Sequence, residues 1–451
     1  MTSPARTKSL LFVSIDFPPA RTSGIYRPVF FTRYLIEAGW DITLLTAATH
    51  LSTVADESLA REIDPRLNVI RVSAPMPRRL TGKVFEKFKQ TAEGDGKSDK
   101  IPPIRTRVLM LLKKLILSPV FRLIDNFILI PDNYIIWSLK ILPRARRLIR
   151  RQGISYLLVT SPPHSVQILG LLLRWLTGVT YITDFRNSWT DNQPYQYKIR
   201  KWIEKRLEKK ALMRSRAVIN MSSGDVDRLV ARLPEVPREK LFVVTNGYNE
   251  KDFAEMEPLT PADPLGPLKF LYVGSMYTHS GNTTAKALRL LAEKGYTEQD
   301  LVFGIIGFSD ESFDRLIRQY GVEHLVDNLG FKSHQELMRA YPTYDVMYLL
   351  TGGTAYYHVG ALPGKIFEYM RLGKPILHAG IDGTTHQMLS HSGLEIFVPL
   401  DDVEGLVRAI IDLIHRKKTS SLARTPNREY ASSFEWRRLA GEVDRILSAV
   451  E

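Results

Sequence analysis

The chain has 451 residues, of which 44% are hydrophobic and 24% charged, and a formal net charge of +14. This is an ordinary globular composition, with length for two or three domains and for sizeable cores. Cysteine is absent, which excludes a disulfide framework, a thiolate metal site and a cysteine nucleophile, and fits a reducing compartment.

Leu10 to Ile15 reads as a strand, "DFPPARTSGIYR" as a turn, about Pro28 to Ala38 as a helix ended by Gly39, and Ile42 to Thr46 as a second strand. That succession signals a parallel sheet covered by helices. Further strand-like runs are Val69 to Val72, Tyr156 to Thr160, Tyr181 to Asp184, Ala217 to Met221 and Leu241 to Thr245, with helical patterns between several of them. Glu257 to Pro267, "EPLTPADPLGP", reads as a linker because proline and glycine break regular structure there. The alternation then restarts with strands at Phe270 to Val273, Leu301 to Ile306, Val326 to Leu329, Val346 to Leu350 and Pro375 to Ala379. Helices are expected at Thr284 to Glu293, Phe313 to Tyr320, Ser333 to Arg339, Val403 to His415 and, last, about Glu435 to Ala449. Two doubly wound α/β domains in tandem follow, over 1–257 and 268–430, with the final helix in a 431–451 segment. Glu93 to Lys100, "EGDGKSDK", reads as a mobile loop. The N-terminus is not a convincing signal peptide, and no charge-free segment reads as membrane-spanning.

Candidate chemistry collects at the ends of these strands. The "FPPARTSG" turn follows the first strand, where open α/β sheets bind ligands, and Gly24 would let backbone approach a phosphate ahead of a helix N-terminus. It is no G-x-G-x-x-G, and a plain turn is the alternative. Arg27 is expected either to meet a phosphate or to begin a solvated helix face. His164, in "TSPPHS", is placed to donate to a hydroxyl or to take a proton, unless it is structural. Asp184 and Arg186, in "TDFRNSW", follow the next strand, with a conformational Asp–Arg pair as the alternative. Asp225-Val226-Asp227 is literally D-x-D, but Ser222 and Ser223 precede it and a helix follows, so the acids are expected to serve a first helical turn rather than a metal. "VTNGYNEKDF" reads as structural around its Asn246-Gly247 turn. Gly274 and Ser275 end the first strand of the second half, and no Arg or Lys follows them until Lys286. Phe331 and Lys332 lie in the loop "NLGFKSHQEL", which is otherwise an ordinary β–α turn.

The most specific string is Ala361 to Leu377, "ALPGKIFEYMRLGKPIL", which reads as a loop, a short helix stopped by Gly373 and a buried strand. Glu368 lies among apolar neighbours, and a carboxylate there is costly to bury unless hydroxyls or amides bind it. A solvated helix Glu is the alternative. This string resembles the nucleotide-sugar site of the large retaining GT-B glycosyltransferase family, family 4. "TDFRNSW" resembles the D-F-R-D-P-W string of bacterial polysaccharide glycosyltransferases, with Asn187 and Ser188 as departures. The resemblance covers nearly the whole chain except roughly Pro77 to Leu148. It implies a GT-B fold: two Rossmann-like doubly wound domains facing a central cleft, with the last helix crossing back onto the first. It implies a UDP- or GDP-linked sugar as donor substrate, transfer with retention, and neither cofactor nor metal. Glu368 is then expected on the donor ribose and Lys365 on the diphosphate, as the main cation. Gly364, Ile366, Gly274, Ser275 and amides of the Gly-rich stretch before Lys365 would assist. Gly24 would approach the diphosphate, Phe331 and Lys332 the nucleobase, and His164, Asp184 and Arg186 the sugar and acceptor. The first acid of the family's E-x7-E motif falls on Gly360, so the donor sugar stays open.

Between Lys97 and Arg151, thirteen Lys and Arg face three Asp, a balance of +10 in 55 residues. Ile101 to Arg151 mixes apolar runs with this charge and suits a helix pair lying on an anionic membrane, or else a core helix followed by a solvated basic one. The expected activity is hexosyl transfer to a saccharide or lipid-linked acceptor of a bacterial envelope polysaccharide or exopolysaccharide. It would take place in the cytoplasm, on the inner face of the membrane. The rivals are a non-hydrolysing sugar-nucleotide epimerase of the same fold and a non-catalytic nucleic-acid-binding protein. For the latter, no stacking platform or binding motif is found, so no nucleic-acid partner is expected.

Overall fold

The structure, a computed structural model, describes residues 8–20, 22–48, 58–74, 129–191, 197–254, 256, 263–276, 278–309, 311–352 and 362–450. The expected loop at Glu93 to Lys100, the first part of the expected membrane segment (101–128) and Gly360 lie outside the described residues.

The first sheet contains β1 (Ser9–Val13), β2 (Asp41–Ala48), β3 (Asn68–Ser73), β4 (Tyr156–Ser161), β5 (Thr180–Phe185), β6 (Ala217–Asn220) and β7 (Leu241–Val243). All pairs are parallel, in the order β3-β2-β1-β4-β5-β6-β7. The second contains β8 (Leu268–Val273), β9 (Leu301–Ile306), β10 (Val326–Asn328), β11 (Val346–Leu350), β12 (Ile376–Gly380) and β13 (Glu395–Pro399), in the order β10-β9-β8-β11-β12-β13. Strand order reverses between β1 and β4 and again between β8 and β11, and at such switch points the loops part to leave a crevice at the carboxyl ends.

Side-chain alternation explains why the strands read as unbroken apolar runs. Leu10 and Phe12 enter one core while Leu11 and Val13 enter another on the opposite face. In the second sheet Phe270 and Tyr272 enter one core and Leu271 the other. Both faces of the central strands are therefore covered by helices, and polar exposed positions such as Asn68, Arg71, Asp327 and Asn328 fall on the edge strands β3 and β10.

The helices in chain order are α1 (Tyr26–Glu37), α2 (Ile135–Gln152), α3 (Ser165–Thr177), α4 (Lys198–Arg214), α5 (Ser223–Arg232), α6 (Glu250–Ala254), α7 (Thr278–Glu293) and α8 (Glu311–Tyr320). They continue with α9 (His334–Ala340), α10 (Lys365–Leu372), α11 (Thr384–Ser390), α12 (Val403–Lys418), α13 (Arg428–Ser432) and α14 (Trp436–Ala449). α14 packs back onto the first sheet. Trp436 stacks on Phe30 at 5.5 Å and meets Phe31 edge-on, and Leu439, Val443 and Leu447 join the same core. The "VTNGYNEKDF" string holds this return in place: Tyr248 N–H donates to Phe434 O at 3.1 Å and Trp436 N–H to Tyr248 O at 3.0 Å.

Two expectations change here. β13 has no counterpart among the predicted strands, because it is short and only partly buried. The described part of the expected membrane segment is one helix, α2, whose Trp137, Ile141, Ala145 and Ile149 are buried in the core beside Leu157 and Val159. Arg144, Arg147, Arg150 and Arg151 line its exposed side, so core packing and basic surface share one helix instead of falling on successive ones.

Candidate functional site

Lys365 opens α10, and α10 is pinned to the last peptide of β8 from both sides. The Lys365 Nζ donates to Val273 O, and Val273 N–H donates to the Tyr369 hydroxyl at 3.3 Å. The ammonium also lies 4.0 Å from the centre of the Tyr272 ring. Gly274 follows with φ of +136°, and a Cβ there would stand 2.9 Å from the Lys365 Nζ, so the backbone leaves the strand where a side chain would crowd the amine. Burial pushes the Lys365 amine down to about 7, with Glu368 pulling it the other way. The amine is thus desolvated at the second switch point, with one carbonyl and one π-face as its protein partners. An arriving anion would favour its charged form.

One turn further on, Glu368 is half-buried and accepts a 2.5 Å hydrogen bond from the Tyr341 hydroxyl. Burial raises its carboxyl above the usual range, against the pull of His334 and of the Tyr341 hydrogen bond. Tyr341 is fully buried and is itself positioned: the Lys374 ammonium donates to Tyr341 O at 3.1 Å, to Pro342 O at 2.8 Å and to Tyr344 O. His334, at the start of α9, shares a 2.8 Å contact between Nε2 and Asp252 Oδ2, and its Nδ1 lies 3.5 Å from the Tyr26 hydroxyl of α1. This is where helices of the two sheets meet. Ser333 caps α9 in a reciprocal box with Glu336, leaving the adjacent Phe331 exposed and Lys332 half-buried at the loop tip. Ser275 is exposed, with its carbonyl accepting from Tyr272 at 3.0 Å, and Gly364 lies beside Asn246.

On the first sheet, the carboxyl ends of β1, β4 and β5 bring Gly24, His164 and Arg186 together. Arg186 donates to Asp16 at 3.2 Å and to Pro162 O. A Cβ on Gly24 would collide with the Arg186 guanidinium at 2.0 Å and with the Asp16 carboxylate at 2.6 Å. Gly24 therefore makes room for an ion pair of this chain.

The family described as "Glycosyl transferase 4-like domain" matches residues 126–247, and "Glycosyl transferases group 1" matches 267–416. The chain belongs to the family-4-like GT-B glycosyltransferases. Comparison of the sequence with curated proteins gives no match. Among solved structures, sucrose-phosphate synthase from Thermosynechococcus elongatus has 16% identity and a TM-score of 0.66, over 98% of this chain and 100% of that one. Anabaena HepE, in complex with UDP and glucose, has 12% identity and a TM-score of 0.61 over 98% and 99%. The lipopolysaccharide outer core galactosyltransferase WaaB, in its apo form, has 12% identity and a TM-score of 0.58 over 98% and 99%.

For this glycosyltransferase, several residues chosen from sequence need correction. Asp184 is fully buried, and Arg27 takes both its oxygens, at 2.9 Å from Nε and 2.7 Å from Nη2. Arg27 is equally buried and gives its remaining nitrogen to Thr245 O at 2.7 Å. Neither side chain can reach a sugar or a phosphate, and Arg27 begins no solvated face. A conformational Asp–Arg pair does exist, but Arg186 is not its partner. His164 is buried, stacked on Trp189 at 5.1 Å, and pushed down to about 3 by burial and then by Arg186. Its imidazole stays neutral at working pH and does not take up a proton there. Ile366 is wholly in the core and gives its N–H to Pro363 O at 3.2 Å, so it supplies packing. Asp225 accepts from Ser222 and Arg228, and Asp227 from Arg238, with Ser222 Oγ capping α5 at 3.0 Å. Asp225 thus serves the first helical turn as expected, whereas Asp227 lies beyond it, exposed and paired with Arg238. Sequence reasoning missed Tyr341, His334 and Asp252. All three are brought towards Glu368 by tertiary packing.

Proposed function

We propose that this glycosyltransferase moves a hexosyl group from a UDP- or GDP-linked donor to a saccharide or lipid-linked acceptor of a bacterial envelope polysaccharide or exopolysaccharide, with retention and without a metal. The working units are residues 1–257 and 268–430, rejoined by 431–451. The observation that carries this reading is the pairing of a desolvated Lys365 with a Tyr341-held Glu368 on the first turn of α10, at the switch point of the second sheet. Glu368 accepts from the donor ribose hydroxyls. Lys365 holds the diphosphate as charge develops on it, while the bond from the anomeric carbon to the phosphate oxygen breaks. The acceptor oxygen bonds that carbon, and its proton leaves with the diphosphate. Gly274, Ser275 and Gly364 line the phosphates, Phe331 and Lys332 the base, and Arg186 with neutral His164 borders the sugar. HepE, a protein of the same fold, forms complexes with UDP and with UDP-glucose, which supports a UDP-linked donor.

Glu368→Gln preserves the shape and the Tyr341 hydrogen bond but removes the charge. Donor affinity should fall by about 1.5–3 kcal/mol, roughly 10- to 100-fold, with the melting temperature little changed. Titration calorimetry reads this directly, and an unaltered affinity removes Glu368 from the ribose.

The enzyme is proposed to work peripherally on the cytoplasmic face of the membrane. Among the described residues no helix is long and apolar enough to cross a bilayer. The exposed side of α2 carries Leu139 and four arginines, and α4 exposes Ile199 and Trp202 among its lysines, with Arg206 over the indole. Each basic residue near an anionic surface contributes about 1 kcal/mol. Co-sedimentation should require anionic vesicles, fall with salt, and weaken when Arg144, Arg146, Arg147, Arg150 and Arg151 become Gln. Absence of binding at low salt favours a soluble acceptor.

A further inference from the structure

We propose that His378, His386 and Glu395 form a binding site for a divalent transition-metal ion of the zinc type, distinct from the Lys365–Glu368 pair. The three come from different elements: His378 from β12, His386 from α11 and Glu395 from the start of β13. Their ligand atoms all lie within 4.8 Å of one another. His378 Nδ1 stands 2.7 Å from one oxygen of Glu395, and His386 Nδ1 stands 2.9 Å from the other.

The electrostatics favour a cation at this point. The Glu395 side chain is 5% exposed, and among the described residues it has no Lys or Arg partner, only the two imidazoles. A buried carboxylate needs compensating charge, which a proton shared with an imidazole or a metal ion supplies. The geometry suits the second. Zinc bonds of about 2.0–2.1 Å at tetrahedral angles place ligand atoms about 3.4 Å apart, so the two Glu395 contacts of 2.7 and 2.9 Å would open by about 0.5–0.7 Å, and no pair of ligand atoms starts more than 4.8 Å apart. The outer shell is also built. His378 is fully buried, and its Nε2 is 2.7 Å from the Thr351 hydroxyl, which fixes the ring with Nδ1 facing Glu395. Phe397 packs against both imidazoles, at 5.2 Å from His378 and 4.0 Å from His386. His386 is 27% exposed and leaves a solvent side for a fourth, water ligand. Two imidazoles and one carboxylate select zinc or cobalt over magnesium or calcium, which prefer oxygen cages. The ion would tie β12, α11 and β13 together. No step of sugar transfer passes through it.

The test uses the full-length chain stripped with EDTA and titrated with Co²⁺, Zn²⁺ and Mg²⁺. Co²⁺ should bind at one equivalent with the intense visible absorption of a four- or five-coordinate ion. Zn²⁺ should displace it and raise the melting temperature, and Mg²⁺ should do neither. His386→Ala, at a partly exposed ligand, and Glu395→Gln, which keeps the shape, should each weaken metal affinity more than about tenfold. Both should melt in EDTA close to the stripped wild type. A weak octahedral spectrum, or variants that bind as the wild type does, would overturn the site and leave a carboxylate pinned by two imidazoles. The readout is metal binding itself, so it is independent of whether the donor reading holds.

Discussion

Lys365→Met lowers kcat by about 10²–10³-fold, the loss expected when one preorganised group facing developing charge is removed. Methionine fills the same channel beside Tyr272, so the β8–α10 packing is kept and the effect falls on the diphosphate. The same amine makes donor binding depend on pH in the wild type. It is held at about 7 in the free protein because burial opposes the ammonium. A bound diphosphate favours the ammonium, so binding raises that pKa and takes up a proton above pH 7. Affinity therefore falls as pH rises from about 7, by up to about tenfold per unit, until the raised pKa of the complex is passed. Calorimetry at pH 8 in two buffers of different ionisation heat should show proton uptake in the wild type and none in Lys365→Met. Equal uptake in both assigns the titration to another group.

Arg27→Met destabilises the first sheet by about 3–5 kcal/mol, because it leaves the Asp184 carboxylate charged, buried and alone. Thr245 O loses its donor as well. Adding Asp184→Leu should recover most of that loss, since a buried pair replaced by apolar side chains is often neutral. Denaturant unfolding of both variants measures this. A cost under about 1 kcal/mol for the single change would return Arg27 to the list of phosphate-binding candidates.

The contrast between these two residues shows what was legible in the sequence. Lys365 and Glu368 could be singled out because the signal around them is local: a Pro-Gly break, one short helix and a glycine stop lie within a dozen positions. The strands were legible for the same reason, since burial on both faces leaves continuous apolar runs such as Leu10 to Val13. Arg27 and Asp184 lie 157 positions apart, and no local pattern distinguishes an arginine that enters a core from one that meets a phosphate. Tyr341 resembles any core tyrosine until the fold sets its hydroxyl on Glu368. His164 stands where a catalytic imidazole would, but the Trp189 face that covers it is 25 positions away and belongs to another strand's loop. β13 was missed because an edge strand with half-buried positions lacks the continuous apolar signal.

The central claim is that the α10 pair receives a nucleotide-diphosphate sugar, and a thermal-shift panel of UDP- and GDP-linked sugars tests it most directly. A bound donor stabilises the folded state by mass action, by about 2.7 kcal/mol at a hundred times its dissociation constant. At least one nucleotide sugar should raise the melting temperature of the wild type in a concentration-dependent way, and the same concentration should give a smaller rise in Glu368→Gln. A panel in which no nucleotide sugar moves the wild type, or in which Glu368→Gln responds as strongly, would contradict the account.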